Sequence, residues 1–449
     1  MHNTLTRETV NSERHGTERS GSVDGEQFQR EDIQRTMAAQ FNEPLDLEAA
    51  LDRIRGQIPV PSDIEHVPLR EAVGRILAEP LRSPLALPPF DNSAMDGYAI
   101  SAPVDADLHN QTFRLIGTSA AGHPFDGHVS EGECVRIFTG AATPLGTTRV
   151  VLQEDVTAGE GTITISGHPD PRSNIRPQGH DLERGTVLDE AGTRINGFRI
   201  GRYAASGFAE VPVFPAPKIG VFSTGDELLP PGTPVADLPP GAIYESNRHA
   251  LMALMADLPV SIVDLGNLPD EPAAVVSALS GAGESCDVVI TSGGVSVGDH
   301  DHVKRSVEQL GELDFWRLNL KPGKPLAFGR LGNARFFGLP GNPVSTIVTW
   351  LLIARPAVLA LCGATDRPPL RLTAELTSAL QHTPGRTEYQ RGRYAAASNG
   401  SSIQVSVTGH QASNRLSSFA DANCLIEVPK TSADLPAGQL VQILPLMEL

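Results

Sequence analysis

At 449 residues the chain exceeds the size at which a single hydrophobic core stops growing, so roughly three or four domains are expected. Its formal net charge of −17, from 53 acids against 36 Lys and Arg, repels polyanions and argues against nucleic acid as a partner. The four cysteines, Cys134, Cys286, Cys362 and Cys424, are too far apart for CxxC pairs or a secreted disulfide framework, which fits a reducing cytoplasm.

Residues 1–36 read as a disordered tail: up to about Asp32 they mix Arg, Glu, Ser and Gln with hardly any large apolar side chain, and they lack the apolar core of a signal peptide. Leu47, Leu51 and Ile54 recur at helical spacing behind Asp46, and Ala72, Ile76 and Leu77 predict a second short helix. Residues 45–87, together with 183–214, are expected to form a small helical or linker region. Between them, residues 88–182 carry short β-type runs ("TFRLIG", "CVRIFTG", "RVVLQED") separated by glycine turns, the pattern of an inserted β-rich domain.

Residues 215–365 change character. Apolar strands ("KIGVFSTGDEL", "VSIVDLG", "DVVITSGG") alternate with helices near His249 to Met255 and Pro272 to Leu279, which predicts a parallel sheet covered on both faces. In such a sheet ligands bind beyond the carboxyl ends of the strands, where the glycine turns fall. Ile347 to Cys362 is the longest apolar run; Arg355 and Pro356 interrupt it, and it is shorter than the ~20 residues that span a bilayer, so no membrane segment is expected. Residues 366–449 read as a C-terminal β-barrel-like domain. The fold class is therefore multi-domain α/β plus β.

Five stretches are candidates for carrying chemistry. In "ITSGGVSVGDHD", a strand feeds Gly293, Gly294, Ser296 and Gly298 before a helix near Asp301, which suits either a phosphate cradle or an ordinary turn. His300 and His302 match no strong zinc spacing; Asp301 suits an N-cap or an oxygen ligand for Mg²⁺. "FSTGDEL" puts Asp226 and Glu227 at a second strand end and "NLPDEP" puts Asp270 at a third, so several acids share one sheet edge. In "FWRLNLKPGKP", Arg317, Lys321 and Lys324 surround a Pro-Gly turn and suit oxyanions, or form a solvated basic loop. "FGLPGNPVS" makes a Pro340-Gly341-Asn342 corner before a helix that starts near Pro343, fitting an anion or a tight connection. "PPFDNSAMDGYAI" matches no reaction by composition. No Ser or Cys sits in an elbow such as G-x-S-x-G with suitable triad partners, and there is no GxxxxGK[ST] loop.

Taken together, "FDNSAMDGYA", "RIFTGA", "NIRPQGHD", "FSTGDEL", "YESNR", "SGGVSVGDHD", "KPGKPLAFG", "GLPGNPVS", "PGRTEYQRG" and "GHQASNRLSS" occur in the order seen in molybdopterin molybdenumtransferases, the bacterial MoeA proteins and the gephyrin E domain. The resemblance spans about Leu45 to Leu449. It implies a transferase that takes adenylylated molybdopterin and molybdate, inserts the metal with Mg²⁺ and releases AMP. Carried over by motif, the functional positions are Asp96, Thr139 and Asp181 in the β-rich part, Glu227, Asp270, Asp301 and Lys321 in the α/β part, and Arg386 near the C-terminus. Asp181, Glu227, Asp270 and Asp301 are the implied metal-binding acids. Arg317 stands where a lysine is usual, and His180 where an acid often precedes Asp181. The resemblance also implies a homodimer whose cleft is shared between subunits, with the molybdopterin adenylyltransferase as a possible partner. An adenylyltransferase itself would share the α/β domain but lack "NSAMDGYA" and "GHQASNRLSS"; a non-enzymatic scaffold is the reading from another class.

Overall fold

The computed structural model describes residues 44–103, 106–169, 172–268, 271–294 and 302–449, without the side chains of Phe315 and Trp316. The expected N-terminal tail lies outside them, as do four expected site residues, Asp270, Ser296, Gly298 and Asp301.

The α/β unit is built on a six-stranded sheet in the order Ser261–Leu268, Lys218–Thr224, Val288–Ser292, Ala334–Leu339, Pro325–Leu331, Gly311–Arg317. The first four strands are parallel, as their apolar runs predict, whereas Pro325–Leu331 runs antiparallel to them and pairs antiparallel with Gly311–Arg317 at the edge. Successive side chains leave a strand on opposite faces, and here both faces are buried. Val221, Ile290 and Phe337 point into one core with Leu251, Met255 and Trp350 of the helices on that side. Their sequence neighbours Phe222, Val289 and Phe336 enter the other core with Val275 and Leu279 of Pro272–Ser285 and Val303 and Val307 of His302–Leu310.

The longest apolar run forms one continuous helix, Pro343–Leu361, rather than breaking at Arg355 and Pro356. A π-turn over Trp350–Ala354 widens the coil just before Pro356, which relieves the clash an interior proline otherwise makes with the preceding turn. Among the described residues it is the one helix long and apolar enough to cross a membrane, yet 72% of it is buried, with Trp350, Ile353 and Ala354 sealed in the core of the sheet. It is the central helix of the α/β unit.

The N-terminal region is less helical than its spacing suggests. Leu47–Arg55 is a helix, but Leu69–Glu71 is a single 3-10 turn and Gly74, at φ +84°, breaks the second periodic run. Ile76 and Leu77 bridge instead to Arg194 and Val213. Glu65–Pro68 pairs with Glu210–Val213 and Leu81–Arg82 with Val187–Asp189, so the two segments flanking the β-rich part meet in space. That part is a six-stranded sheet ordered Arg149–Leu152, Gly97–Ile100, Glu133–Ile137, Thr112–Ser119, Thr162–Ile165, Val156–Ala158.

The C-terminal strands close a five-stranded barrel: Thr387–Ala396, Ile403–Val407, Leu372–Leu376, Leu440–Pro445, Cys424–Val428, and back to Thr387–Ala396. The short strand Leu320–Lys321 of the α/β segment adds to Thr387–Ala396 in parallel. This splice fixes where the basic turn stands.

Candidate active site

The carboxyl ends of Lys218–Thr224, Val288–Ser292 and Ala334–Leu339 converge, and their turns pack backbone to backbone. Gly293 donates its N–H to Leu339 O at 3.0 Å. Gly293 and Gly294 hold φ +92° and +67°, and a Cβ on Gly293 would lie 2.5 Å from Thr224 Oγ1, so only glycine fits without displacement. A Cβ on Gly341 would come within 3.7 Å of Gly293 Cα, so the Pro-Gly-Asn corner lies directly against the glycine turn. Asn247, the first residue of Asn247–Met255, donates to Ser292 Oγ at 2.8 Å and to Gly341 O at 2.7 Å, joining the two turns.

These turns form one wall of a cavity of about 870 Å³. Glu227, Gly293, Gly294, Lys321, Lys324, Pro340, Gly341, Asn342 and Arg386 all line it, bringing together residues from five separate sequence stretches. Asn342 caps Pro343–Thr349 without a side-chain hydrogen bond, and Val344 N–H donates to Ser413 O at 3.0 Å, which draws the barrel-side loop onto the site. Lys321 stands 3.0 Å from Glu388, and Arg386 donates to Leu320 O at 3.5 Å. Three cations, backbone donors and hydroxyls in one recess suit a multiply charged anion.

The other sequence-derived residues among those described stand elsewhere. Asp96, Thr139 and Asp181 do not line this cavity. Thr139 holds Asp96 by two hydrogen bonds, and Asp181 is exposed, with its N–H on Leu87 O. Arg317 ends its strand opposite Pro325 and is exposed outside the lining. Among the described residues no group of three or more His, Cys, Asp and Glu could hold a metal ion. Of the two implied metal-binding acids among the described residues, Asp181 and Glu227, Glu227 lines the cavity.

The motif reading left out several residues of the lining. Tyr244, Glu245, Ser246 and Asn247 enter from "YESNR", and Gln411, Ser413 and Asn414 from "GHQASNRLSS". Glu245 is 4% exposed; it accepts Arg248 N–H at 2.6 Å, while its other oxygen is buried with no hydrogen-bond partner among the described residues. Only the presence of both motifs in the family pattern could have flagged these residues, since neither has a composition that implies a reaction.

Residues 45–207 match the model of the MoeA N-terminal region (domain I and II), 220–360 that of a probable molybdopterin binding domain, and 373–446 that of the MoeA C-terminal region (domain IV). The molybdopterin molybdenumtransferase of Haemophilus influenzae is 41% identical over 408 residues, covering 90% of this chain and 99% of its own. The chain belongs to the molybdopterin molybdenumtransferase family. A Mycobacterium tuberculosis molybdopterin molybdenumtransferase 2 is 33% identical over 84% of this chain and 94% of its own. The crystal structure of a molybdopterin biosynthesis MoeA protein from Pyrococcus horikoshii superposes with TM-score 0.77 at 28% identity, over 90% of this chain and all of that one. As a molybdenumtransferase-family member the chain is a transferase of molybdenum cofactor biosynthesis, and its multi-domain α/β plus β fold is that of the family.

Proposed function

We propose that this transferase inserts molybdate into adenylylated molybdopterin and releases AMP, in a Mg²⁺-dependent reaction in the cytoplasm. The observation that carries the reading is the single cavity in which Lys321, Lys324 and Arg386 face the glycine turn at Gly293 and Gly294. The cations bind tetrahedral molybdate as a dianion, and backbone N–H groups at the Gly and Pro-Gly-Asn turns receive phosphate oxygens. Asn247 keeps those two turns at a fixed separation.

The residues present suit Mg²⁺ in kind: Glu227 offers hard carboxylate oxygens at the cavity wall, and no hydrogen bond within the described residues engages its side chain. Asp181, Asp270 and Asp301 are the further acids proposed to hold the ion. When bound, Mg²⁺ supplies polarisation of the phosphoanhydride. Water, directly or after a first attack by a molybdate oxygen, attacks the adenylyl phosphorus; the bond from that phosphorus to the bridging oxygen breaks, AMP leaves carrying the oxygen of water, and the molybdopterin phosphate keeps the bridging oxygen, while Lys321 and Arg386 hold molybdate.

Asp96, Thr139 and Asp181 lie outside the cavity of their own chain, which favours a homodimer in which a second subunit brings them to it. The substrate is supplied by an adenylylating enzyme, the molybdopterin adenylyltransferase, as a proposed partner.

The decisive test gives purified protein molybdate and Mg²⁺ with adenylylated molybdopterin, and in a parallel reaction with molybdopterin and ATP. AMP together with metal-loaded cofactor is expected; ATP consumption without AMP release from the adenylylated substrate would assign adenylylation instead.

A further inference from the structure

Across the parallel splice between Leu320–Lys321 and the barrel, Lys321 is the register partner of Glu388. Glu388 is 2% exposed and uses both carboxylate oxygens: Oε1 lies 3.0 Å from Lys321 Nζ and Oε2 2.8 Å from His382 Nδ1. The His382 side chain is fully buried, and its main-chain N–H is anchored on Asp434 Oδ1 at 2.7 Å. With a carboxylate as neighbour, Nδ1 is the nitrogen that carries hydrogen and donates; Nε2 is buried with no hydrogen-bond partner among the described residues. Buried Arg391, on the same strand, is the other charge that Glu388 acts on.

Stability does not account for this arrangement, because a buried carboxylate gives up its hydration and a half-exposed lysine returns little of it. Anion affinity does not account for it either. A negative charge touching the cation of an anion site weakens equilibrium binding. What the carboxylate supplies is geometry, since lysine is a point charge on a flexible four-carbon stem. Arg386, two residues before Glu388, lines the same cavity, so one strand entry sets two of the three cations.

We infer that Glu388, backed by His382, is a positioning residue that holds the Lys321 ammonium in its productive place at the cost of oxyanion affinity. The turnover part of this inference rests on the function proposed above; the binding part does not.

The test compares the full-length wild type with Glu388→Gln, Glu388→Asp, Lys321→Ala and the Lys321→Ala/Glu388→Gln double variant. Molybdate alone is titrated calorimetrically, and AMP release is measured at saturating molybdate. Glu388→Gln is expected to tighten molybdate binding about threefold to tenfold, the screened effect of removing one nearby charge. It should slow turnover about tenfold or more through lost alignment. Glu388→Asp, which keeps the charge and withdraws it by one methylene, is expected to lose turnover with no gain in affinity. In the Lys321→Ala background the Glu388→Gln change should alter neither quantity by more than about twofold. Binding and turnover weakening together in Glu388→Gln, or an undiminished effect without Lys321, would overturn the inference. If Glu388→Gln does not fold, full turnover in folded Glu388→Asp does so equally. Wild type that binds molybdate through Lys321 yet releases no AMP removes the proposed reaction and leaves the positioning role to the titrations.

Discussion

Thr139 donates both its backbone N–H and its hydroxyl to one oxygen of Asp96, at 2.7 and 2.8 Å. The backbone donor foremost, then the hydroxyl, holds the Asp96 carboxyl below the usual carboxylate range. A depressed folded pKa contributes stability that is present above the unfolded value of about 3.9 and lost as pH falls through the lower folded value. Thr139→Val removes one of the two donors. Carboxyl NMR titration should then show Asp96 moving up toward its ordinary value, with AMP release slowed and a small loss of thermal stability near neutral pH that vanishes as pH falls below the folded value. An unmoved Asp96 titration would separate the pair.

Asn247 links the glycine turn to the Pro-Gly-Asn corner through two hydrogen bonds. Asn247→Ala is expected to cost about 1–2 kcal/mol in denaturant unfolding, from the loss of two hydrogen bonds, the one to Ser292 part-buried and the one to Gly341 exposed. Weaker binding of the nucleotide-bearing substrate should accompany it, with molybdate binding at Lys321 largely kept. Equal loss of both ligands would place Asn247's role elsewhere.

Gly293→Ala meets two obstacles, the φ of +92° and Thr224 Oγ1 at 2.5 Å from the new Cβ. The strain of a non-glycine residue in that region is about 1–3 kcal/mol, and relief requires the turn to shift. Lower Tm and reduced activity are expected together. A variant with wild-type Tm would show that the turn relaxes freely.

All four cysteines are free and buried, and burial pushes the thiols of Cys134, Cys362 and Cys424 up to about 12. At about pH 8 such thiols are thiolate in roughly one part in ten thousand. A thiol-specific disulfide reagent should therefore leave these three untouched in the native protein and modify all four under denaturant. Rapid native labelling of any of the three, located by peptide mapping, would contradict their burial.

Much of this architecture is legible along the chain because burial writes periodicity. The run Lys218–Thr224 is apolar on both faces, which only a doubly covered sheet requires, and the turns after such strands are where ligands collect. Gly293, Lys321, Pro340 and Arg386 were each readable as members of anion-suited stretches or of a family motif, and the fold places them around one cavity. Asn247 and Glu388 were not readable as site residues. Their parts depend on partners 45 and 67 positions away, and no local rule of spacing reports a distant partner.

The N-terminal region shows the same limit. Ala72, Ile76 and Leu77 have helical spacing, yet Gly74 and the pairing of Leu77 with Val213 decide against a helix, because tertiary bridges outweigh a weak local preference. The continuity of Pro343–Leu361 through Pro356 likewise depends on a widened turn that composition does not encode.

The sequence by itself determined the strand and turn order, the acidic background that makes a local cation cluster informative, and the motif set of the family. Only the tertiary structure decided that Lys321 belongs to a barrel strand as much as to its own segment and faces Glu388. It also decided that Asp96, Thr139 and Asp181 stand apart from the cavity. The physical reason is the same in each case: charge and chemistry are properties of single residues, whereas register, closure and burial belong to pairs of segments that meet only in the folded chain.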